Sequence, residues 1–533
     1  MVRKFPQTAR ARSIGTLRAF ERSPATNVFA ACLAIFCAYV PLTSIAVALP
    51  TIQTSLGASS SQLTWVLDAL VVPMAAVILV SGTLADLFGR RRLLLGGLTL
   101  VGTGAVMGLF AHSSIGLLWA ANAVIGIGAG MLLPSSLAVI SNAIRDPHRR
   151  GPAIGAWASS LGIGLAAGPW LTSLIIDSLG ASWTWLYAAP LPFILVAMTL
   201  TLLGVHESRA DEGRALDIPG QLTAVLVVVA SVFGVIEGPD HGWGSAVVVT
   251  SFAIAAAALL AFVVAERRAP APMLDLRLFA SREFSATSLV ASLLMFGLIG
   301  SVFLLSLFFG TIQHLSLGAV ALRFVMITGA IVLAGPVAAA IARRVGAVAP
   351  LTAGLVLAAG GLLSLTAVHP STGLGDLWWR MVAIGVGFGF VLAPMTSLAV
   401  ACVPHAQAGL AGSANNAFRQ IGAALGPAVL GAVLIGRLKS SLPVALSSHH
   451  VDAGTSAHVG QLVSKGGLGA LHTLPRGPGS AQVITASGDA FATALHTAVT
   501  VAGGALLLAA IAALLLLRVL PQRQRRPVAI EGY

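Results

Sequence analysis

Fourteen long apolar runs restrict what this chain can become more than any other feature of it. A helix needs about 20 mostly apolar residues to cross the hydrocarbon core of a bilayer. Inside lipid every backbone N–H and C=O must be satisfied within the segment, so such runs are helices. They cover 27–50, 62–83, 93–112, 116–144, 152–176, 185–205, 218–236, 244–265, 285–310, 318–342, 347–368, 377–402, 408–438 and 491–517. Only 9% of the residues are charged and 57% are hydrophobic, whereas a soluble domain carries about 25% charge. The expected class is therefore an all-α integral membrane protein. The formal net charge of +13 does not mark a nucleic-acid binder. The basic residues sit in short clusters between the runs, with no basic face and no interleaved aromatics.

Loop arginines and lysines orient the runs. With the N-terminus in the cytoplasm, the inner segments hold Arg3, Lys4, Arg10, Arg12, Arg18 and Arg22, the Arg90–Arg92 cluster, and pairs such as Arg149/Arg150, Arg267/Arg268 and Arg343/Arg344. The outer side holds only Arg437, Lys439, Lys465 and Arg476, in or beside one long loop. An even helix count then leaves both basic termini in the cytoplasm. The abundance of Ala, Gly and Arg suits a GC-rich bacterial genome, so a bacterial inner membrane is expected. Cys32, Cys37 and Cys402 lie in or beside apolar runs and suggest no disulfide framework. There is no metal-ligand spacing, no phosphate-cradling Gly-Lys-Ser/Thr loop and no soluble segment long enough to fold around a catalytic set. Neither an enzyme nor a bound cofactor is expected, and neither is direct coupling to ATP.

The chain also repeats itself. Helix 4 carries Gly126-Ile-Gly-Ala-Gly with Pro134 after it, and helix 12 carries Gly385-Val-Gly-Phe-Gly with Pro394. Helix 5 has Ile163-Gly-Leu-Ala-Ala-Gly-Pro169, and helix 13 has Ile421-Gly-Ala-Ala-Leu-Gly-Pro427. The segment from Gly82 to Arg91 after helix 2 is echoed from Gly335 to Arg344 after helix 10. Any one Gly/Pro match is weak, because small residues are common packing devices in membranes. Three pairs sharing an offset of eight helices point to an internal repeat. The order reads as six helices, an inserted pair and six more. The units are a cytoplasmic tail 1–26, a six-helix bundle 27–205, the inserted pair with its linkers 206–284, a second bundle 285–517 containing an extracellular loop 439–490, and a tail 518–533.

At these residues the chain resembles the major facilitator superfamily, and within it the fourteen-helix drug:proton antiporters of bacteria. The most specific piece is Gly82-x-Leu-Ala-Asp86-x-x-Gly89-Arg90-Arg91, similar to the superfamily's motif between helices 2 and 3. Gly164-x-x-x-Gly168-Pro169 is similar to the helix 5 motif associated with antiporters. Further matches are Trp65-Val-x-Asp68-Ala69, Leu216-Asp-Ile-Pro-Gly220, Pro272-Met-Leu-Asp-Leu-Arg-Leu-Phe279 and Asn415-Asn-Ala-Phe-Arg419-Gln420. The resemblance implies the major facilitator fold, a cavity between two halves, and proton-coupled export of amphipathic, cationic organic compounds by a monomer embedded in lipid. It implies that the helix 2–3 loop, through Asp86, latches the halves on the cytoplasmic side. The chain departs from the family pattern in helix 1, where Pro41 and Ala46 stand in place of Asp and Asn. Asn122 and Ile125 stand where helix 4 of relatives has Arg and Gln.

Among the acidic residues only Asp68 falls well inside a predicted helix. A charge in hydrocarbon costs several kcal/mol unless it faces a partner or a cavity, and apolar surroundings favour the protonated form of a carboxyl. Asp68 is thus the candidate for proton or cation coupling; a residue merely wetted at the outer interface is the competing reading. Arg323 and Arg419 fit either a cavity that fixes anions or neutralises Asp68, or a packing role on backbone carbonyls. Trp65, Met74, Asn122, Trp157, Trp170, Met295, Phe296, Asn415 and Asn416 complete the candidate cavity, with packing or lipid contact as the alternative for each. Export of a single self-made metabolite, or a membrane sensor that transports nothing, are the competing functions.

Overall fold

The computed structural model describes residues 24–144, 146–208, 217–269, 272, 274, 276–401, 408–466 and 480–517. The basic tails, Arg209, Arg214, Cys402 and Arg476 lie outside the described residues, as do the side chains of Asp86, Arg149, Arg150 and Lys465. The helices are α1 (Pro24–Leu56), α2 (Ser60–Phe88), α3 (Arg90–Leu109), α4 (Ile115–Ala143), α5 (Pro147–Ser173), α6 (Leu191–Gly204), α7 (Ile218–His241) and α8 (Ala246–Arg268). They continue as α9 (Arg282–Leu307), α10 (Leu317–Val345), α11 (Val348–Ser364), α12 (Leu374–Ala401), α13 (Ala408–Ser448), α14 (Ala453–Gly466) and α15 (Ser480–Leu517). Fourteen helices among the described residues are long and apolar enough to cross a membrane, and no strand occurs there. The protein is a multi-pass membrane protein. We call the end bearing the α2–α3 turn inner and the opposite end outer.

Local chemistry sets where the helices start. Ser59, Ser114, Asp217, Ser245, Ser281 and Ser316 each accept a backbone N–H from the first turn of the helix that follows. Ser59 and Gln62 bond reciprocally, closing both ends of a capping box. These caps satisfy donors that lipid cannot.

Glycines set how the helices pack, and they do the same work twice. A side chain on Gly126 or Gly130 would run into the backbone oxygens of Leu70 or Met74 in α2, and one on Gly128 into α3 at Gly97. In the second half, Gly385 and Gly389 meet the backbone oxygens of Ile327 and Ile331 in α10, and Gly387 meets α11 at Ala358. Likewise Gly164 and Gly168 of α5 abut α1 at Phe36 and Ser44, while Gly422 and Gly426 of α13 abut α9 at Ser292 and Phe296. Every contact recurs eight spans later. The neighbours repeat too: α1 with α5 and α6, α2 and α3 with α4, and correspondingly α9 with α13 and α15, α10 and α11 with α12.

The halves meet along α2/α13, α5/α10 and α1/α9. The first two seams are equivalents under the repeat. The pair α7–α8 packs on itself, and α7 also lies against α2 and α13. It therefore covers one seam and leaves its equivalent bare.

The 439–490 segment differs from the expected polar loop. α13 continues to Ser448, α15 begins at Ser480, and α14 lies between. The extensions pack on each other: Ser441 Oγ donates to the Ala490 carbonyl at 3.1 Å and His449 Nε2 lies 3.0 Å from Asp489, over buried Leu442, Leu446, Val459, Val483 and Ala486. Hydropathy falls where lipid ends, not where the helix ends.

Gly126→Val should destabilise the protein by about 1–3 kcal/mol, the usual cost of overpacking, and Gly385→Val should do the same. Gly244→Val, with no atom within 4 Å of its side-chain position, should leave the melting temperature in detergent unchanged. Equal melting for all three would remove the packing argument.

Candidate functional site

Polar groups of both bundles meet along the seams between the halves, and Asp68 lies on the α2/α13 seam. Asp68 is fully buried, and neither carboxylate oxygen has a hydrogen-bond partner. It is not a wetted interface residue. Its direction follows from its neighbours on α2. Thr64, one turn earlier, faces Gly431 of α13 and Phe303 of α9. Trp65 faces α7 through Glu237 and Phe233. The carbonyls of Val66 and Leu70 face Asn122 and Gly126 of α4. At 100° per residue Asp68 falls between Thr64 and Trp65, toward the junction of α13 and α7.

The seam's cation lies deeper. Gln420 Nε2 of α13 donates to Tyr39 Oη of α1 at 3.2 Å. Beside them Arg419 Nε and Asn416 Oδ1 are buried without a partner. Arg419 precedes Gly431 by twelve residues, while Asp68 lies four residues below the Thr64 level. At 1.5 Å per residue the two differ in depth by about 12 Å, too far for an ion pair. Arg323 does not neutralise Asp68 either. Its Nη1 donates to the Ala319 carbonyl at 2.8 Å, and its guanidinium lies 5.3 Å from the Phe309 ring centroid. The acid and the bases are thus kept apart in this arrangement.

Several of the remaining candidates make helix–helix contacts. Asn122 Nδ2 donates to the Val66 carbonyl at 2.7 Å and its Oδ1 accepts from Tyr187 at 2.8 Å. Trp157 Nε1 donates to Ser136 Oγ at 2.9 Å, tying α5 to α4. Asn415 Nδ2 donates to the Thr287 carbonyl at 3.2 Å. Met74, Met295 and Phe296 are buried in the bundle. Trp170 is 58% exposed; it follows Gly168 by two residues, so it projects away from α1.

At the inner turn, Gly89 adopts φ +103°, and the Glu207 carboxylate occupies the space a side chain there would need. Glu207, from the end of α6, accepts the Arg91 N–H at 3.1 Å and lies 3.7 Å from Arg92 Nε. Arg91 Nη2 donates to the Leu202 carbonyl at 2.6 Å. A carboxylate at the start of α3 complements the helix dipole. Gly82 has no atom near its side-chain position. The Asp86 side chain, assigned the latch, is outside what is described.

Direct contacts join the halves at the outer end. Ser306 Oγ of α9 donates to the Ala46 carbonyl of α1 at 2.5 Å, and Pro50 packs onto Gly310 one turn further out. The Asp177 carboxylate, at the end of α5, accepts the Gly318 N–H at the start of α10. On the inner half of that α5/α10 seam, Gly155 and Gly335 have open space where a side chain would go. Glu237, which pattern reading passed over, is a further acid beside the seam, bonded to Trp65. Only the direction of Trp65 locates it. A disulfide formed by Pro50→Cys with Gly310→Cys should hold the outer end closed and stop transport until reduced; undiminished transport by the oxidised protein would rule out the outer seam as a gate.

Comparison with known proteins agrees with this geometry. Residues 31–427 match the model of the Major Facilitator Superfamily. The chain is 32% identical over 463 residues to the multidrug resistance protein Stp of Mycobacterium tuberculosis, covering 84% of this chain and 85% of that protein. It is 27% identical over 499 residues to the tetracenomycin C resistance and export protein of Streptomyces glaucescens, covering 92% and 91%. Among solved structures, a bacterial homologue of the human lysosomal transporter Spinster superposes with a TM-score of 0.60 at 15% identity, over 92% of this chain and 96% of that one. The chain belongs to the Major Facilitator Superfamily.

Proposed function

We propose that this protein is a proton-coupled antiporter that exports amphipathic, cationic organic compounds across the bacterial inner membrane, working as a monomer with both termini in the cytoplasm. The observation that carries the reading is the buried, unpartnered Asp68 carboxyl at the seam. A membrane-embedded carboxyl without a partner is costly, and it serves an antiporter by holding either a proton or a cationic substrate, not both. Export follows when the inward-moving proton displaces the cation on the outer side. Likeness to a multidrug resistance protein and to an antibiotic exporter supports the direction of transport and the substrate class. The second of these also favours a narrower reading, a dedicated exporter of one metabolite. A panel of unrelated cationic dyes separates the two: export of several supports the broad reading.

Two experiments test the proposal. An uncoupler should stop dye export by whole cells; export that persists would remove the proton. Asp68→Asn keeps the side-chain size and loses titration. It should abolish export of cationic dyes with normal protein levels, and dye binding should no longer strengthen as pH rises, because ionisation of the carboxyl is what creates the cation site. Wild-type export with an unchanged pH profile would reduce Asp68 to a packing residue.

Orientation is tested separately. A reporter fused after Tyr533 and another inserted near Ser456 should report opposite sides of the membrane.

A further inference from the structure

The inserted pair covers the seam that holds Asp68, and α7 joins it through a polar cluster at the outer end. Trp65 Nε1 of α2 donates to Glu237 Oε1 at 3.3 Å. The Trp65 and Phe233 rings lie 6.0 Å apart. His241, one turn beyond, places Nδ1 3.2 Å from the other Glu237 oxygen. Further out, Lys439 of α13 pairs with Asp240 at 3.0 Å and donates to the Pro239 carbonyl at 2.5 Å. The two pairs differ in exposure. Lys439 and Asp240 are 39% and 29% exposed, a surface tie of small energetic value that fixes α7 to α13. The Glu237 side chain is only 17% exposed, below a His241 that is 53% exposed.

Trp65 and Asp68 are three residues apart on one helix, which puts their Cβ atoms about 5–6 Å from each other. Asp68 points to the α7/α13 junction, as derived above. Acid–base groups therefore descend from the outer surface in order: His241 half in water, Glu237 beneath it, Asp68 buried within the bilayer. The indole holds the middle one in place. Other charges near Glu237 are accounted for. On α7, Asp240 is paired with Lys439 of α13. On α13, Arg437 is exposed. On α8 the charged residues Glu266, Arg267 and Arg268 stand at the opposite end of the helix. On α2 the titratable group at this end is Asp68, Asp86 standing at the opposite end of the helix.

We propose that Glu237 on the inserted helix is the outer proton acceptor that supplies Asp68, with His241 collecting protons at the surface. This rests on the proton-coupled reading above. One proton leaves the outer water, binds the Glu237 carboxylate and passes to the Asp68 carboxylate. Glu237 is left ionised for the next cycle; only O–H bonds, and an N–H bond where the proton pauses on His241, are made and broken. The inserted pair is then part of the coupling machinery.

The test measures dye export by cells while outer pH is varied. Glu237→Gln should slow export roughly tenfold at neutral outer pH, less than the ~10²-fold expected for an obligate acid–base group because Asp68 keeps its own access. The defect should shrink toward wild type as the outside is acidified, where proton supply no longer limits; His241→Gln should show the same trend in milder form. Glu237→Asp, which retains the carboxyl, should export nearly normally. An uncoupler-sensitive wild type with a Glu237→Gln loss equal at every outer pH overturns this inference alone: Glu237 then only anchors α7 to α2. Unimpaired export by Glu237→Gln at neutral pH overturns it as well. A wild type indifferent to the uncoupler overturns both readings.

Discussion

Backbone-to-backbone contact at glycine is the interaction on which the rest of this bundle depends. Lipid tails are as apolar as leucine, so burying one helix against another gains little from the hydrophobic effect. What remains is dispersion, which grows with the number of atoms in close contact. Gly126, Gly130, Gly164 and Gly168 let whole helices touch, and Gly385, Gly389, Gly422 and Gly426 repeat the arrangement. Each half becomes a rigid body by this means. The seams between halves are joined differently, by single bonds such as Ser306 to Ala46 and Gln420 to Tyr39. Such bonds are worth about 1 kcal/mol each and can be exchanged, whereas glycine contacts cannot be broken without unpacking the bundle. Rigid halves with weak seams are what alternating access requires.

Sequence patterns carried much of this. Length and apolarity defined the spans because the bilayer imposes both. The glycine repeats were visible because close approach admits no other residue. The outer extensions of α13 and α15 were not legible, since a water-exposed helix pairing loses the apolar signal while keeping its backbone bonds. The site was legible only in part. Asp68 stood out by depth along the chain, a one-dimensional property. Glu237 did not, because it lies near the end of its helix, and what matters is which neighbour α7 leans on. Of the alternatives open for Arg419, neutralising Asp68 does not fit the geometry: counting along two antiparallel helices places them about two turns apart in depth.

That separation gives the seam an electrical gradient. Its carboxylate lies toward the outer half, while Arg419 lies closer to the inner end of α13, beside the Tyr39–Gln420 bond. Within the seam a positive charge is therefore favoured at the Asp68 level and opposed at the Arg419 level.

The bare α5/α10 seam has its own consequence. α7 and α8 cover the α2/α13 line, so a lipophilic molecule already dissolved in the membrane finds that flank walled off. The inserted pair is absent from the opposite flank, and the open positions at Gly155 and Gly335 lie toward the inner end of the α5/α10 seam. The two flanks of the bundle thus meet lipid differently, one through the inserted pair and the other directly through α5 and α10.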